Sequence, residues 1–237
     1  MKTKASLTRT LFPLLMMFIL ILAIAASAFA GKQERPTGSF TEIEISSAFK
    51  VVLTQGNTEK LTLEGDDELL QKVITETRGN KLIIKLKDGT YNKSFKELTV
   101  YLTFKTLSKI ELSGAVNLSG TNQMKFDNLE LECSGATKIN LNLNASKLDC
   151  DLSGASTLSL EGNVQVLDID VSGASKVNAE DLVAKNCNID CSGASYIAIH
   201  VTDKLRAEGS GASKISYKGN PSIVESDMSG ASKMSKI

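Results

Sequence analysis

Cys150-Asp151-Leu152-Ser153-Gly154-Ala155-Ser156 is followed 19 residues later by Ile169-Asp170-Val171-Ser172-Gly173-Ala174-Ser175. Ser-Gly-Ala occurs seven times between Ser113 and Ala231, with glycines at positions 114, 135, 154, 173, 193, 211 and 230, so successive steps are 21, 19, 19, 20, 18 and 19 residues. A period of about 20 residues marks a repeat in which each copy is one rung, burying its apolar side by stacking on the next.

Aligned on the serine, the copies form columns. One residue before it stand Leu112, Cys133, Leu152, Val171, Cys191, Gly209 and Met228, and three before it Ile110, Leu131, Cys150, Ile169, Ile189, Ala207 and Ser226. Mostly apolar residues at a period of two describe a strand with one buried face. Two before the serine, on the opposite face, every copy is acidic: Glu111, Glu132, Asp151, Asp170, Asp190, Glu208 and Asp227. Five after it, Leu118, Ile139, Leu158, Val177, Ile197, Ile215 and Met234 open a second inward-facing strand. Strand, glycine corner, strand and polar turn, repeated in one direction, predict an all-β fold, a parallel β-helix-like solenoid of about 20-residue rungs. Glycine suits the corner because it accepts backbone angles closed to other residues. A leucine-rich-repeat horseshoe has a similar period, but its second segment is helical and its Leu/Asn signature is missing here.

The rest of the chain is organised around that stack. Residues 1–30 read as an export signal, with Lys2, Lys4 and Arg9 before an uncharged apolar run and Ala28-Phe29-Ala30 as the cleavage site. An uncleaved anchor is the alternative, since the run approaches the roughly 20 residues of a spanning helix. The cleavage point carries no Cys for a lipid anchor. Residues 31–37 read as a leader and 38–237 as the solenoid, an irregular β region over 38–107 and regular rungs over 108–237. Within the irregular part, residues 40–53 form a degenerate eighth copy, with Glu44 two before Ser46. A helical turn is expected over 66–73, strands over 81–87 and 98–104, and a polar loop over 88–96. This thicker opening end supplies the cap that terminal repeats need.

Three of the 27 basic residues but none of the 27 acids precede Gly31, leaving a net charge of −3 after cleavage. Such a balance, with basic residues scattered, excludes a nucleic-acid partner. Cys133, Cys150, Cys187 and Cys191 fall on inward positions, Cys133 and Cys150 in different columns of adjacent rungs and Cys187 and Cys191 four residues apart on one strand, so the prediction is four free, buried thiols acting as small hydrophobes rather than disulfides or metal ligands.

The signal, the Ala48-Phe49-Lys50-Val51 to Gln55-Gly56 segment, the Lys81-Leu82-Ile83-Ile84 strand and the serial Ser-Gly-Ala-Ser copies together resemble the putative auto-transporter adhesin, head GIN domain family. The resemblance spans nearly all of residues 38–237. It implies an exported bacterial β-solenoid, periplasmic, outer-membrane-associated or extracellular, adhesin-like and without catalytic residues to carry over.

The acidic column is the sharpest surface feature. Carboxylates about 4.8 Å apart on adjacent rungs repel one another, so something must offset them. One source is a partly basic column four residues after the serine, where Lys138, Lys176, Tyr196, Lys214 and Lys233 stand, facing the acids across the glycine corner. The other is a divalent cation, Ca²⁺ by its preference for carboxylate and carbonyl oxygens, although the glycine-rich nonapeptide calcium repeat is missing. An enzyme acting on polysaccharide finds little support, because His200 is the single histidine and one acid per rung separates no acid from base. Glycan or cell-surface binding gains from many weak contacts along a ladder, against an aromatic content of 5% with no Trp. Tyr196 and Tyr217 are the aromatic candidates on the repeat. The last rung, around Lys233 and Lys236, offers an open edge for homo-oligomer formation. The sequence thus reads as a non-enzymatic surface-contact solenoid, with a structural or self-assembling envelope protein as the alternative and a polysaccharide-acting enzyme third.

Overall fold

A computed structural model describes residues 31–90 and 97–237. The export signal and most of the expected polar loop lie outside these residues. No helix among the described residues is long and apolar enough to cross a membrane.

In chain order the elements are β1 (Gly31–Arg35), β2 (Glu42–Ser47), β3 (Lys50–Gln55), β4 (Lys60–Gly65), α1 (Asp67–Leu70), β5 (Val73–Arg78), β6 (Lys81–Leu86), β7 (Thr99–Phe104), β8 (Lys109–Gly114) and β9 (Asn117–Gly120). Then come β10 (Met124–Gly135), β11 (Lys138–Leu152), β12 (Thr157–Val171), β13 (Lys176–Cys191), β14 (Tyr196–Gly209), β15 (Lys214–Lys218), β16 (Ile223–Met228) and β17 (Lys233–Lys236). The fold is the expected parallel β-solenoid, and its two faces meet at the glycine corner. The acidic face stacks β6, β2, β8, the second parts of β10 to β14, and β16. The opposite face stacks β7, β3, β9, the first parts of β11 to β14, β15 and β17.

Between the faces runs one apolar core. The inward columns predicted from the period of two are closed: Ile110, Leu131, Ile139, Leu158, Val177, Ile197 and Ile215 are all at 0% exposure. Each such side chain stabilises the stack by about 1.5–3 kcal/mol relative to exposure. The four cysteines sit in the same core as free thiols. Burial pushes the Cys133 thiol up to about 12 and holds Cys150 and Cys187 well above the usual thiol range.

The corner explains the repeat. Gly135, Gly154, Gly173 and Gly193 have φ between 84° and 93°, a region that costs any L side chain strain. Their carbonyls accept the amides of Ala155, Ala174, Ala194 and Ala212, each on the following rung. A Cβ on Gly173 would stand 2.6 Å from the Gly154 carbonyl oxygen, so glycine is required twice over. The residue after Ser-Gly-Ala turns inward as a buried hydroxyl ladder. Thr137 Oγ1 donates to Ser156 Oγ at 2.8 Å, the Ser156 amide to Ser175 Oγ at 3.1 Å, and Ser195 pairs with Ser213 at 3.2 Å. These hydroxyls are paired, as buried polar groups must be.

The opening end departs from the sequence reading in three places. Residues 31–35 are not a leader but β1, paired antiparallel on β4 from Gly31↔Gly65 to Arg35↔Leu61. The strand β5 was not expected; it makes a hairpin with β6 through Gly79-Asn80, a two-residue turn with Gly79 at φ 62° that favours a hairpin. The degenerate copy does not begin the stack. β2 lies between β6 and β8, and β3 between β7 and β9, so after β1 the chain enters the parallel stack in the second layer, drops to the first, and crosses back to the third. The expected helical turn is present as α1, capped by the Asp66 carboxylate accepting from the Glu68 and Leu69 amides, with Leu69 and Leu70 buried in the core.

Candidate functional site

The parallel register brings every predicted acid into one line. Glu44 pairs with Glu111, Glu111 with Glu132, Glu132 with Asp151, Asp151 with Asp170, Asp170 with Asp190, Asp190 with Glu208, and Glu208 with Asp227. The side chains share the outward face because each is an odd number of residues from the inward positions of its strand.

Compensation comes from this same face, not from across the corner. Lys81 Nζ lies 2.8 Å from Glu111 and 3.8 Å from Glu44. Lys109 Nζ reaches Glu132 at 2.7 Å, Glu130 at 3.1 Å and Glu111 at 3.4 Å, and its hydrogen bond to Glu132 leads in raising its pKa. Lys147 bridges Asp149 and Asp168 at 2.9 and 3.0 Å, and Arg206 holds Glu208 at 2.7 Å. Sequence reasoning missed the line two residues upstream of the acids, where Lys109, Glu130, Asp149, Asp168, Asn188 and Arg206 follow one another in register. Its signal was its equal parity, obscured because its charge alternates in sign.

The expected basic column is in register on the opposite face, from Lys138 through Thr157, Lys176, Tyr196 and Lys214 to Lys233. No ion pair among the described residues joins it to the acids. Lys176 and Lys214 instead flank the Tyr196 ring, their Nζ atoms 5.5 and 5.8 Å from its centroid, within cation–π range. Tyr217 is half-buried against the core. His200 pairs with Lys218 on that opposite face, away from the acids.

Between the compensated rungs, Asp151, Asp170 and Asp190 take no ion pair among the described residues. They line an open hollow of about 370 Å³ together with Asp149, Asp168 and Asn188. Partial burial, with Asp151 and Asp190 on either side, pushes the Asp170 carboxyl up. Asp168 shifts the other way: burial raises it, but the Asn188 amide at 2.6 Å and Lys147 hold it below the usual range. Among the described residues no three His, Cys, Asp or Glu side chains converge as metal ligands.

The chain is a parallel β-solenoid that repeats one outward acidic side chain per rung over an open face. Residues 39–221 match the family described as "Putative auto-transporter adhesin, head GIN domain", and the chain belongs to it, which places it among adhesin-like surface proteins. Three solved structures share the fold. A putative adhesin from Bacteroides fragilis is 22% identical over 89% of this chain and 98% of its own, with a TM-score of 0.77. One from Parabacteroides merdae is 20% identical over 89% and 97%, with a TM-score of 0.69. A protein from Parabacteroides distasonis described as a putative lipid binding protein is 19% identical over 89% and 98%, with a TM-score of 0.64. Comparison with curated proteins returns no match.

Proposed function

We propose that this is an exported, non-catalytic contact protein whose acidic face receives a glycan or another hydroxyl-rich polymer of a cell surface. One observation carries the reading: cations reach the column at Glu111, Glu132 and Glu208, while Asp151, Asp170 and Asp190 between them take no ion pair among the described residues and line an open hollow that Arg206 also lines. Uncompensated carboxylates are strong acceptors for sugar hydroxyls. Their repetition along the stack lets weak contacts add into avidity along a polymer. Tyr196 between its two lysines offers a second, separate contact on the opposite face.

The test is a glycan panel probed with the exported protein and with Asp151→Asn, Asp170→Asn, Asp190→Asn combined, each with and without chelator. Loss of binding in the variant supports the reading, and because the substitution removes like-charge repulsion, unfolding will not explain the loss. Equal binding by both proteins, or no binding by either, removes the acidic face as a receptor. Chelator should change nothing. The opposite shifts of Asp168 and Asp170 favour one further reading, an acid and base acting on polysaccharide, so bound glycans are also assayed for new reducing ends.

A further inference from the structure

The lysine column on the face opposite the acids gains a member from the stacking order. β3 lies directly beneath β9, and β9 beneath β11, so Lys50 is followed in register by Asn117 and then by Lys138. From there the column continues through Thr157, Lys176 and Tyr196 to Lys214. Cations and neutral hydrogen-bonding groups thus alternate without a break: Lys50, Lys138, Lys176 and Lys214 stand on every second layer, with an amide or a hydroxyl on each layer between. The alternation stops at Lys214, which Lys233 follows directly, and beneath Lys50, where Thr99 and then Glu64 come next. Lysines two layers apart are separated by roughly 9.6 Å, and the four span roughly 29 Å.

The column is open and largely without counter-charge. All four lysines are exposed. Lys50 reaches Glu97 at 3.3 Å, whereas Lys138, Lys176 and Lys214 take no ion pair among the described residues. The next outward column is uncharged, running through Ser119, Asn140, Ser159, Asn178 and Ala198. On the corner side stand the exposed alanines of Ser-Gly-Ala. Glu161, Glu180 and Asp181 lie four or five residues farther along their strands, about 13 Å or more away, and Asp181 has Lys218 at 3.6 Å. Two of the lysines are also held in place: the Lys176 and Lys214 ammoniums flank the Tyr196 ring at 5.5 and 5.8 Å from its centroid, so less freedom is lost when they bind.

The two-layer alternation selects the ligand. A polymer charged at every unit sets every second charge against a neutral side chain, and an uncharged polymer leaves the ammoniums bare. A glycan that alternates an acidic with a neutral sugar repeats once per disaccharide, a length close to two layers of the stack. We infer that this column binds such a glycan along the solenoid axis, its carboxylates on the lysines and the hydroxyls of its neutral sugars on Asn117, Thr157 and Tyr196. Each exposed ion pair is weak, and their repetition along one chain supplies the affinity. The contact lies on the face opposite the acidic hollow and does not rest on it.

Hyaluronan octasaccharide, with one carboxylate per disaccharide, is the probe, titrated calorimetrically into the exported protein at low salt. The wild type should bind it, less tightly as salt rises. Lys138→Gln/Lys176→Gln/Lys214→Gln should bind about tenfold more weakly or worse. Thr157→Lys/Lys176→Thr keeps the charge but breaks the alternation, and should lose affinity as well. An octagalacturonate, acidic at every sugar, should bind less tightly than hyaluronan despite its greater charge. Asp151→Asn/Asp170→Asn/Asp190→Asn should bind hyaluronan as the wild type does, so a failed acidic-face receptor leaves this site standing. The altered side chains point outward, and circular dichroism with a melting curve confirms that the rungs persist. Absent hyaluronan binding, undiminished binding by the charge-swapped variant, tighter binding of octagalacturonate, or loss of binding in the asparagine variant overturns the inference.

Discussion

Ser47 and Gly173 occupy the same corner at two levels of one column, and only the upper one needs to be glycine. Both have positive φ, 99° for Ser47 and 93° for Gly173. Beneath Gly173 lies the Gly154 carbonyl, 2.6 Å from any added Cβ. Beneath Ser47 the corner is not a Ser-Gly-Ala turn, since β6 and β7 are joined by the wider 87–98 connection. There the Ser47 hydroxyl accepts the Leu86 amide at 3.4 Å. Backbone angle alone makes glycine preferable, and the neighbouring rung makes it obligatory. The same contrast separates α1, whose Leu69 and Leu70 are buried in the core, from β16, where Val224 is 43% exposed: a side chain matters in proportion to what is stacked against it.

Three sets of substitutions press on that contrast. Gly173→Ala should be the most damaging, costing about 4 kcal/mol or abolishing cooperative unfolding, as read by urea denaturation. Ser47→Gly should change stability by less than about 1 kcal/mol; a gain as large as the Gly173→Ala loss would mean that φ, not the neighbouring carbonyl, sets the requirement. Leu70→Ala, at a position with 0% exposure, should cost about 3 kcal/mol, while Val224→Ala, at 43% exposure, should stay within about 0.5 kcal/mol. Comparable losses would show that β16 is packed as tightly as α1.

The smallest effect is electrostatic. Asp170→Asn should raise stability at neutral pH by about 0.5 kcal/mol, less in high salt. The folded chain holds the Asp170 proton to a higher pH than the unfolded chain does. Lowering the pH through that raised pKa therefore adds protons preferentially to the folded state and stabilises it. The asparagine variant should lack that gain, and a matching pH profile in the two proteins would deny the repulsion.

The regular rungs were legible because their rule is local. A period of two, a glycine corner and one acid per copy survive in the sequence wherever strands stack in order, so the acidic line from Glu111 to Asp227, the inward cysteines and the fold class could all be read directly. The source of charge compensation was not legible. Lys109 and Lys147 look unremarkable in their own copies, and their value depends on reaching carboxylates 21 to 23 residues away, as Lys109 does to Glu130 and Glu132. The column at Lys138, Lys176 and Lys214 looked like the counter-charge because it is near in sequence, yet the corner turns it onto the other face.

The opening end shows the division most clearly. The amino-acid sequence by itself determined that residues 40–53 are a rung, through Ile43, Ile45, Val51 and Leu53 on the inward parity and Glu44 on the outward one. It did not determine where that rung sits. Only the tertiary structure placed β2 and β3 between layers that come later in the chain, because every layer offers the same edge of backbone donors and acceptors and chain order need not be stacking order. The choice falls to long-range fit: the Gln55 side chain tying the Lys105 and Lys125 backbones at the crossover, and α1 with Leu69 and Leu70 closing the layer below. Periodicity fixes what a rung is; which rung is its neighbour is settled by contacts that no local pattern encodes.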